Sequence, residues 1–167
     1  MIDKSKLYDT PIDHVKFIPS RFIDFNFTER TGRGSFKVEL YPEDAERLKK
    51  AGWNVSEYKN PNYPDSDVRY SINIVVKFRG TGEDSTPYVF VAEGRTRRRL
   101  YQDTVYNNLK DARFSDAHIV INPYFYDQSD PTKFSAYASE VTFDLDTNSP
   151  KPERHFNNRY GSMYDDK

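Results

Sequence analysis

The segment VRYSINIVVKF, residues 68–78, decides the fold class of this chain. Its residues alternate between two faces with the period of a β-strand that buries one side. One face carries Tyr70, Ile72, Ile74 and Val76, and the other carries Arg69, Ser71, Asn73, Val75 and Lys77. The pattern predicts a long strand, and it is the strongest strand pattern in the sequence.

The segments on either side of this strand predict more strands, joined mostly by hairpins. Residues 88–92 alternate in the same way after the turn RGTGEDSTP and are predicted to pair with residues 68–78 as a hairpin. Residues 116–126 and 133–145 predict two further strands across the loop DQSDPT. The remaining predicted strands are 15–27, interrupted by Pro19, then 35–41 and 53–58.

Two short helices complete the predicted elements. The first is PEDAERLKKAG, in which Pro42 suits the first turn and Gly52 the end, with acidic residues early and lysines late. The second lies in YQDTVYNNLKDARF, residues 101–114. Roughly seven strands with two short helices predict a mainly β fold, best described as an OB-fold-like small β-barrel with extra strands. A jelly roll or a simple sandwich stays open at this point.

The chain has 167 residues, which fits one domain with tails. Only 36% of the residues are apolar, which would favour disorder, but 16% are aromatic, and those rings can build a core. We expect a flexible N-terminal arm over residues 1–14, the OB-fold-like domain over 15–146, and a polar, flexible C-terminal tail over 147–167. No stretch approaches 18 apolar residues and no secretion signal is present, so we expect a cytoplasmic protein without a membrane partner.

The sequence gives little support to catalysis. It has no cysteine, and its three histidines, His14, His118 and His155, lie in no pattern typical of a triad or a metalloenzyme. We interpret His118 as a surface histidine or one satisfied by a neighbour. We therefore expect no enzyme, no catalytic residue, no cofactor and no metal. A nuclease would need clustered carboxylates around a metal, whereas the acidic residues here are spread through loops and helix ends.

The clearest functional signal is a run of four arginines within five residues, at Arg95, Arg97, Arg98 and Arg99. They belong to a segment, residues 69–113, with nine Lys or Arg and five Asp or Glu, although the whole chain has a net charge of −1. If this run is extended, alternate arginines lie about 6.5 Å apart on one side and could follow a phosphate backbone. The alternative is a solvated loop, or arginines paired with Glu93 and Asp103.

Aromatic residues are interleaved with these cations, as in proteins that bind single strands by stacking bases on rings. Lys77 and Arg79 flank Phe78 near one strand end, and Tyr88 begins the strand that leads into the arginines. The run Tyr124, Phe125 and Tyr126 puts a ring on both faces of another strand end. We predict base stacking on Phe78, Tyr88, Tyr124 and Tyr126. For any single ring, burial in the core is the alternative, and for Trp53 we favour the core.

Several runs resemble, in order and spacing, a family of single-stranded DNA-binding proteins from tailed phages. They are FKVELYPEDAERLKKAGWNV, YSINIVVKF, YVFVAEGRTRRRLYQDTV and the strands within residues 116–145, with Gly52, Trp53, Asn54 and Val55 the most characteristic piece. The resemblance spans about residues 22–145. It implies an OB-fold and binding of single strands without sequence preference, during phage replication or recombination in the host cytoplasm.

The resemblance also implies partners. These are single-stranded DNA, with phage replication or recombination proteins and a homo-oligomer as further expectations. Replicative members often recruit proteins through a strongly acidic tail, whereas the chain from Asp144 onward carries five acids and four bases. The alternative function is a virion structural or assembly β-domain that uses the aromatic surface for protein contacts.

Overall fold

The computed structural model describes residues 4–17, 26–59, 61–63, 68–80, 82–110 and 112–146. The mainly β fold with two short helices is confirmed. The predicted C-terminal tail and residues 18–25 of the first predicted strand lie outside the described residues. The elements are β1 Thr10–Ile12, β2 Asn26–Thr28, β3 Arg33–Leu40, α1 Pro42–Ala51, β4 Ser56–Tyr58, β5 Arg69–Lys77, β6 Tyr88–Glu93, β7 Thr96–Leu100, α2 Val105–Leu109, β8 Phe114–Phe125 and β9 Phe134–Leu145, with short 3-10 turns at Lys4–Leu7 and Gly82–Asp84.

Helix α1 begins and ends where the sequence predicts. Pro42 occupies the first turn, and Gly52 takes the left-handed conformation (φ 111°) that a residue with a side chain rarely adopts. The Gly52 and Trp53 amides donate to the carbonyls of Lys49 and Leu48, at 3.0 and 2.9 Å. This ending turns the chain so that Trp53 enters the core. Trp53 is 4% exposed and its ring packs edge-on against Phe134, which confirms its predicted burial.

The strands form one mixed sheet in which β9 is the shared element. One edge of β9 pairs with β8 as a long antiparallel hairpin, as predicted. The other edge pairs in parallel first with β5, at Val75 and Tyr137, and then with β6, at Tyr88 and Glu140. The predicted β5–β6 hairpin is therefore wrong, because both strands run along β9 end to end instead of pairing with each other.

The N-terminal segment closes the sheet into a barrel. Strand β1 pairs with β8, and Lys16 then forms a two-way backbone bridge with Glu39 of β3, at 2.9 and 3.0 Å. Since β3 already connects to β8 through β5 and β9, this bridge completes a ring of strands. The described part of the expected flexible arm is thus part of the fold: Leu7 and Ile12 are 0% exposed.

A single apolar core fills this barrel. The Phe143 ring lies 5.4 Å from that of Phe36 and 5.2 Å from that of Phe114, which joins three strands at one point. Among the described aromatic residues, the rings that remain exposed are all tyrosines, while the phenylalanines are buried or half-buried. No helix within the described ranges is long and apolar enough to cross a membrane.

Candidate nucleic-acid interface

The outer face of the β6–β7 hairpin alternates rings and guanidinium groups. Phe90 pairs with Arg99 and Ala92 pairs with Arg97 across the two strands, so these side chains share one side of the sheet. The intervening residues, Val89, Val91 and Leu100, are buried and fix which side faces the core. The arginines therefore follow from the same alternation that builds the core.

Each of these two arginines lies over an aromatic ring. The Arg97 guanidinium carbon is 3.9 Å from the centroid of the Phe90 ring, and that of Arg99 is 4.5 Å from Tyr88 and 4.8 Å from Tyr101. A cation at this distance is attracted by the negative face of the ring. The guanidinium planes are held in place on the surface, which lowers the entropy lost when they engage a ligand.

Arg99 also has a structural task. Its Nη2 donates to the Ser85 carbonyl at 2.6 Å and its Nη1 to the Glu83 carbonyl at 3.1 Å, and the side chain is half-buried. It therefore ties the short turn at residues 82–85 to the hairpin. Arg97 differs, because it is exposed and forms no ion pair within the described part of the chain.

The other two arginines of the run do not join this row. Arg95 is exposed in the turn of the hairpin, next to Gly94, whose φ of 61° the tight turn requires. Arg98 pairs with Val91, so its side chain lies on the opposite side of the hairpin from Arg97 and Arg99. Although Val91 on that side is buried, the Arg98 side chain is exposed. Arg95, Arg97 and Arg99 therefore do not form a single row. Arg97 and Arg99 lie on one face of the hairpin, and Arg95 and Arg98 lie at the margin of that face.

The three predicted residues at the end of β5 separate into different environments. Lys77 is half-buried and donates to the Thr31 carbonyl at 2.6 Å, and Arg79 is exposed. Phe78 is 4% exposed and packs edge-on against Phe27, so the prediction that it stacks a base is wrong. Its position continues the alternation of inward-facing residues in β5, and this places the ring in the core.

A second aromatic group lies where β8 and β9 meet. Tyr124 is 45% exposed and stacks on Tyr137, with ring centroids 4.8 Å apart and ring planes 24° apart. The Arg33 guanidinium donates to the Tyr137 hydroxyl at 2.6 Å. This repeats the combination of ring and guanidinium seen on the β6–β7 hairpin.

Tyr126 lies one step further along the chain and is 59% exposed. It borders a cleft of about 210 Å³ that Trp53 and Asn73 also line. Among the described residues, the buried indole Nε1 of Trp53 has no hydrogen-bond partner.

The two aromatic groups belong to one continuous face. Val75 pairs with Tyr137 and Tyr88 pairs with Glu140, so β5 and β6 follow one another along the same edge of β9. The exposed Glu140 lies beside Tyr88, so the face is not uniformly cationic. We call this face the β9 face: Arg33, Lys77, Tyr88, Phe90, Arg97, Arg99, Tyr101, Tyr124 and Tyr137.

Four residues of the β9 face were not among the predicted contact residues: Arg33, Phe90, Tyr101 and Tyr137. Phe90 and Tyr101 flank the predicted arginine segment, and alternation around Tyr88 would have put Phe90 on the same side. Arg33 and Tyr137 are 104 residues apart in the chain, and only the pairing of β5 with β9 brings them together.

Comparison with known proteins gives little further information. No protein-family model matches the sequence, and no curated protein matches it significantly. One solved structure is similar: the crystal structure of gp2.5, a single-stranded DNA-binding protein encoded by bacteriophage T7. The two sequences are 9% identical, and the superposition covers 93% of this chain and 95% of the gp2.5 chain, with a TM-score of 0.34. A TM-score this low supports no conclusion about function.

Proposed function

We propose that the protein binds single-stranded DNA without sequence preference and protects it by sequestration. The observation that carries the proposal is the placement of Arg97 over Phe90 and of Arg99 over Tyr88 and Tyr101 on an exposed strand face. Single-strand binders need cations for the backbone and flat surfaces for the bases, side by side. Both are present here within one hairpin.

The chemistry favours an unpaired strand. In a duplex the base faces already stack on one another, so a tyrosine ring or a guanidinium plane gains a stacking partner only from an unpaired base. Arginine can stack through its plane while donating from its edge to a phosphate. A chain of bases along the β9 face could thus stack on Tyr88 and Tyr124, and on Tyr126 next to this face, while the phosphates contact the arginines.

The phosphate contacts would come from cations at several positions. Arg97 is the central one, because it is exposed and already oriented by Phe90. Arg99 would contribute from its place between two rings. The remaining candidates are Arg33, Lys77, Arg79, Arg95 and Arg98. No reaction is involved: binding the unpaired state alone shifts a hairpin toward the melted form by mass action.

The proposal is tested by reversing one charge on the β9 face and one elsewhere. Binding of a fluorescent oligo-dT is measured by anisotropy at low salt for wild type, Arg97→Glu and the control Lys50→Glu. Lys50 is on α1, outside the β9 face, and its side chain is 77% exposed, so its reversal changes net charge equally without touching the site. We expect Arg97→Glu to weaken binding by at least about tenfold and Lys50→Glu to leave it nearly unchanged.

An equal loss of oligo-dT affinity in the two variants would show that binding depends on overall charge, and this would contradict the proposal. No binding by the wild type, together with defined oligomers in solution, would favour the alternative of a virion structural or assembly domain. The setting in phage replication or recombination, the protein partners and a homo-oligomer rest on the sequence resemblance and stay predictions.

A further inference from the structure

A cluster of two histidines and two carboxylates lies at the end of the β8–β9 pair away from Tyr124 and Tyr137, where Asp144 pairs with Ala92 of β6. His14 follows β1, Asp116 and His118 lie two apart on β8, and Asp144 is on β9. One candidate ligand atom from each of His14, Asp116 and His118 lies within 4.8 Å of the other two. Nothing in the DNA-binding proposal uses these groups.

The Asp116 carboxylate is oriented by the backbone. Its Oδ1 accepts hydrogen bonds from the Val15 amide at 3.0 Å and from the Ala117 amide at 2.8 Å. The second oxygen, Oδ2, is thereby directed at Nδ1 of His14, which is 2.5 Å away. A carboxylate held in this way presents a fixed oxygen ligand, and fixed ligands lose little entropy on coordination.

His118 is oriented in the way that metal-binding histidines usually are. Its Nε2 lies 3.0 Å from Oδ2 of Asp144, so the Nε2–H donates to this carboxylate and Nδ1 is left with a free lone pair. A carboxylate behind the imidazole fixes the ring and raises the basicity of the coordinating nitrogen. The rings of His14 and His118 meet edge to face with centroids 5.3 Å apart.

We propose that His14, Asp116 and His118 form a binding site for one divalent transition-metal ion of the zinc type, with Asp144 as the positioning residue of His118. Two imidazoles and a carboxylate match the preference of such ions, and a water would complete a tetrahedral shell. Metal–ligand bonds of about 2.0–2.2 Å put neighbouring ligand atoms about 3.3 Å apart. The His14 side chain is 62% exposed, so it can move by the small distance needed to admit the ion next to Asp116.

The site would join the N-terminal segment, which closes the barrel, to strand β8, with which β1 pairs. His14 lies between β1 and the Lys16 bridge to β3, whereas Asp116 and His118 belong to β8. An ion bound by both would hold the N-terminal segment against the barrel. Binding should therefore raise the melting temperature, because only the folded chain brings the three ligands together.

The test uses the full-length, tag-free chain, stripped with a chelator and titrated with Zn²⁺ by calorimetry in a non-coordinating buffer. We expect one Zn²⁺ per chain, at least tenfold weaker binding in His14→Gln and in His118→Gln, and about 10–100-fold weaker binding in Asp144→Asn. The matched control is His155→Gln, because His155 is the third histidine of the chain and is not one of the proposed ligands. Zn²⁺ should raise the melting temperature of wild type and His155→Gln, and not that of His14→Gln.

Three results would overturn the proposal. They are the absence of Zn²⁺ binding by the wild type, unchanged affinity in both His14→Gln and His118→Gln, and loss of binding in His155→Gln. Circular dichroism establishes that each variant is folded. If His118→Gln does not fold, His14→Gln still decides the question, because His14 is on the surface and its removal leaves the core intact.

Discussion

At the scale of single residues, Arg97 and Arg99 look equivalent in the sequence but have different roles. Arg99 is half-buried and bonded to two carbonyls of the turn at residues 82–85, whereas Arg97 contacts a ring and is exposed. A charged hydrogen bond to a buried group contributes about 1.5–3 kcal/mol. Arg99 therefore contributes to both the stability of the fold and the proposed binding surface, whereas Arg97 contributes to the binding surface alone.

This difference predicts separate effects of two alanine variants. Arg99→Ala should lower the free energy of unfolding by about 2 kcal/mol, because the carbonyl of the 5%-exposed Ser85 loses its donor. Arg97→Ala should change stability by less than about 0.5 kcal/mol and still weaken oligo-dT binding. Urea denaturation and anisotropy measure the two quantities. Equal destabilisation by both variants would contradict the assignment of roles.

A second prediction at this scale concerns two rings that sequence reasoning treated alike. Phe78→Ala should cost about 3–5 kcal/mol of stability because it opens a cavity in the core. Tyr88→Ala should cost little stability but remove about 1–3 kcal/mol of single-strand binding. Phe78→Leu keeps most of the buried volume and serves as the binding control. If folded Phe78→Leu loses as much affinity as Tyr88→Ala, the assignment of Phe78 to the core alone is wrong.

At the scale of elements, the N-terminal segment is the part of the fold that differs most from expectation. Residues 1–14 show no alternation, yet Leu7 and Ile12 are 0% exposed. Strand β1 contributes only three residues, too few for a period to be visible in the sequence. Its place is set by pairing with β8, more than 100 residues away, and no local pattern carries that information.

Barrel closure by this segment predicts a large effect of a change near the terminus. Ile12→Ala should lower the free energy of unfolding by about 2–5 kcal/mol, since Ile12 is fully buried between β8 and the core. Pro11→Ala is the neighbouring control, because Pro11 is exposed. Chemical denaturation compares the three proteins. An Ile12→Ala protein as stable as wild type would show that the segment is dispensable, as expected of a flexible arm.

At the scale of the whole molecule, patterns confined to one element were predictable and pairings between distant elements were not. The alternation of 68–78, the signals of α1 and the β8–β9 hairpin all follow from neighbouring residues. The two parallel pairings of β9 do not, because they join segments about 50–60 residues apart.

The candidate site divides in the same way. Arg97, Arg99 and Tyr88 could be predicted because they share one face of a single hairpin, whose other face carries the buried Val89, Val91 and Leu100. The alternation of Ile72, Ile74 and Val76 also extends to Phe78 and assigns it to the core, so that signal was present in the sequence. The pair of Arg33 and Tyr137, and the cluster of His14 with His118, required the closed barrel and could not be predicted from spacing.

Single-strand binding by the β9 face is best examined through the salt dependence of wild-type binding to a labelled oligo-dT and to a duplex of equal length. We predict tight binding of the single strand at low salt. The slope of log K against log salt should be about −2 or steeper, which corresponds to about three or more phosphate contacts. The duplex should bind far more weakly. Equal affinity for both, or no single-strand binding at low salt, would show that the β9 face is not a single-strand binding site.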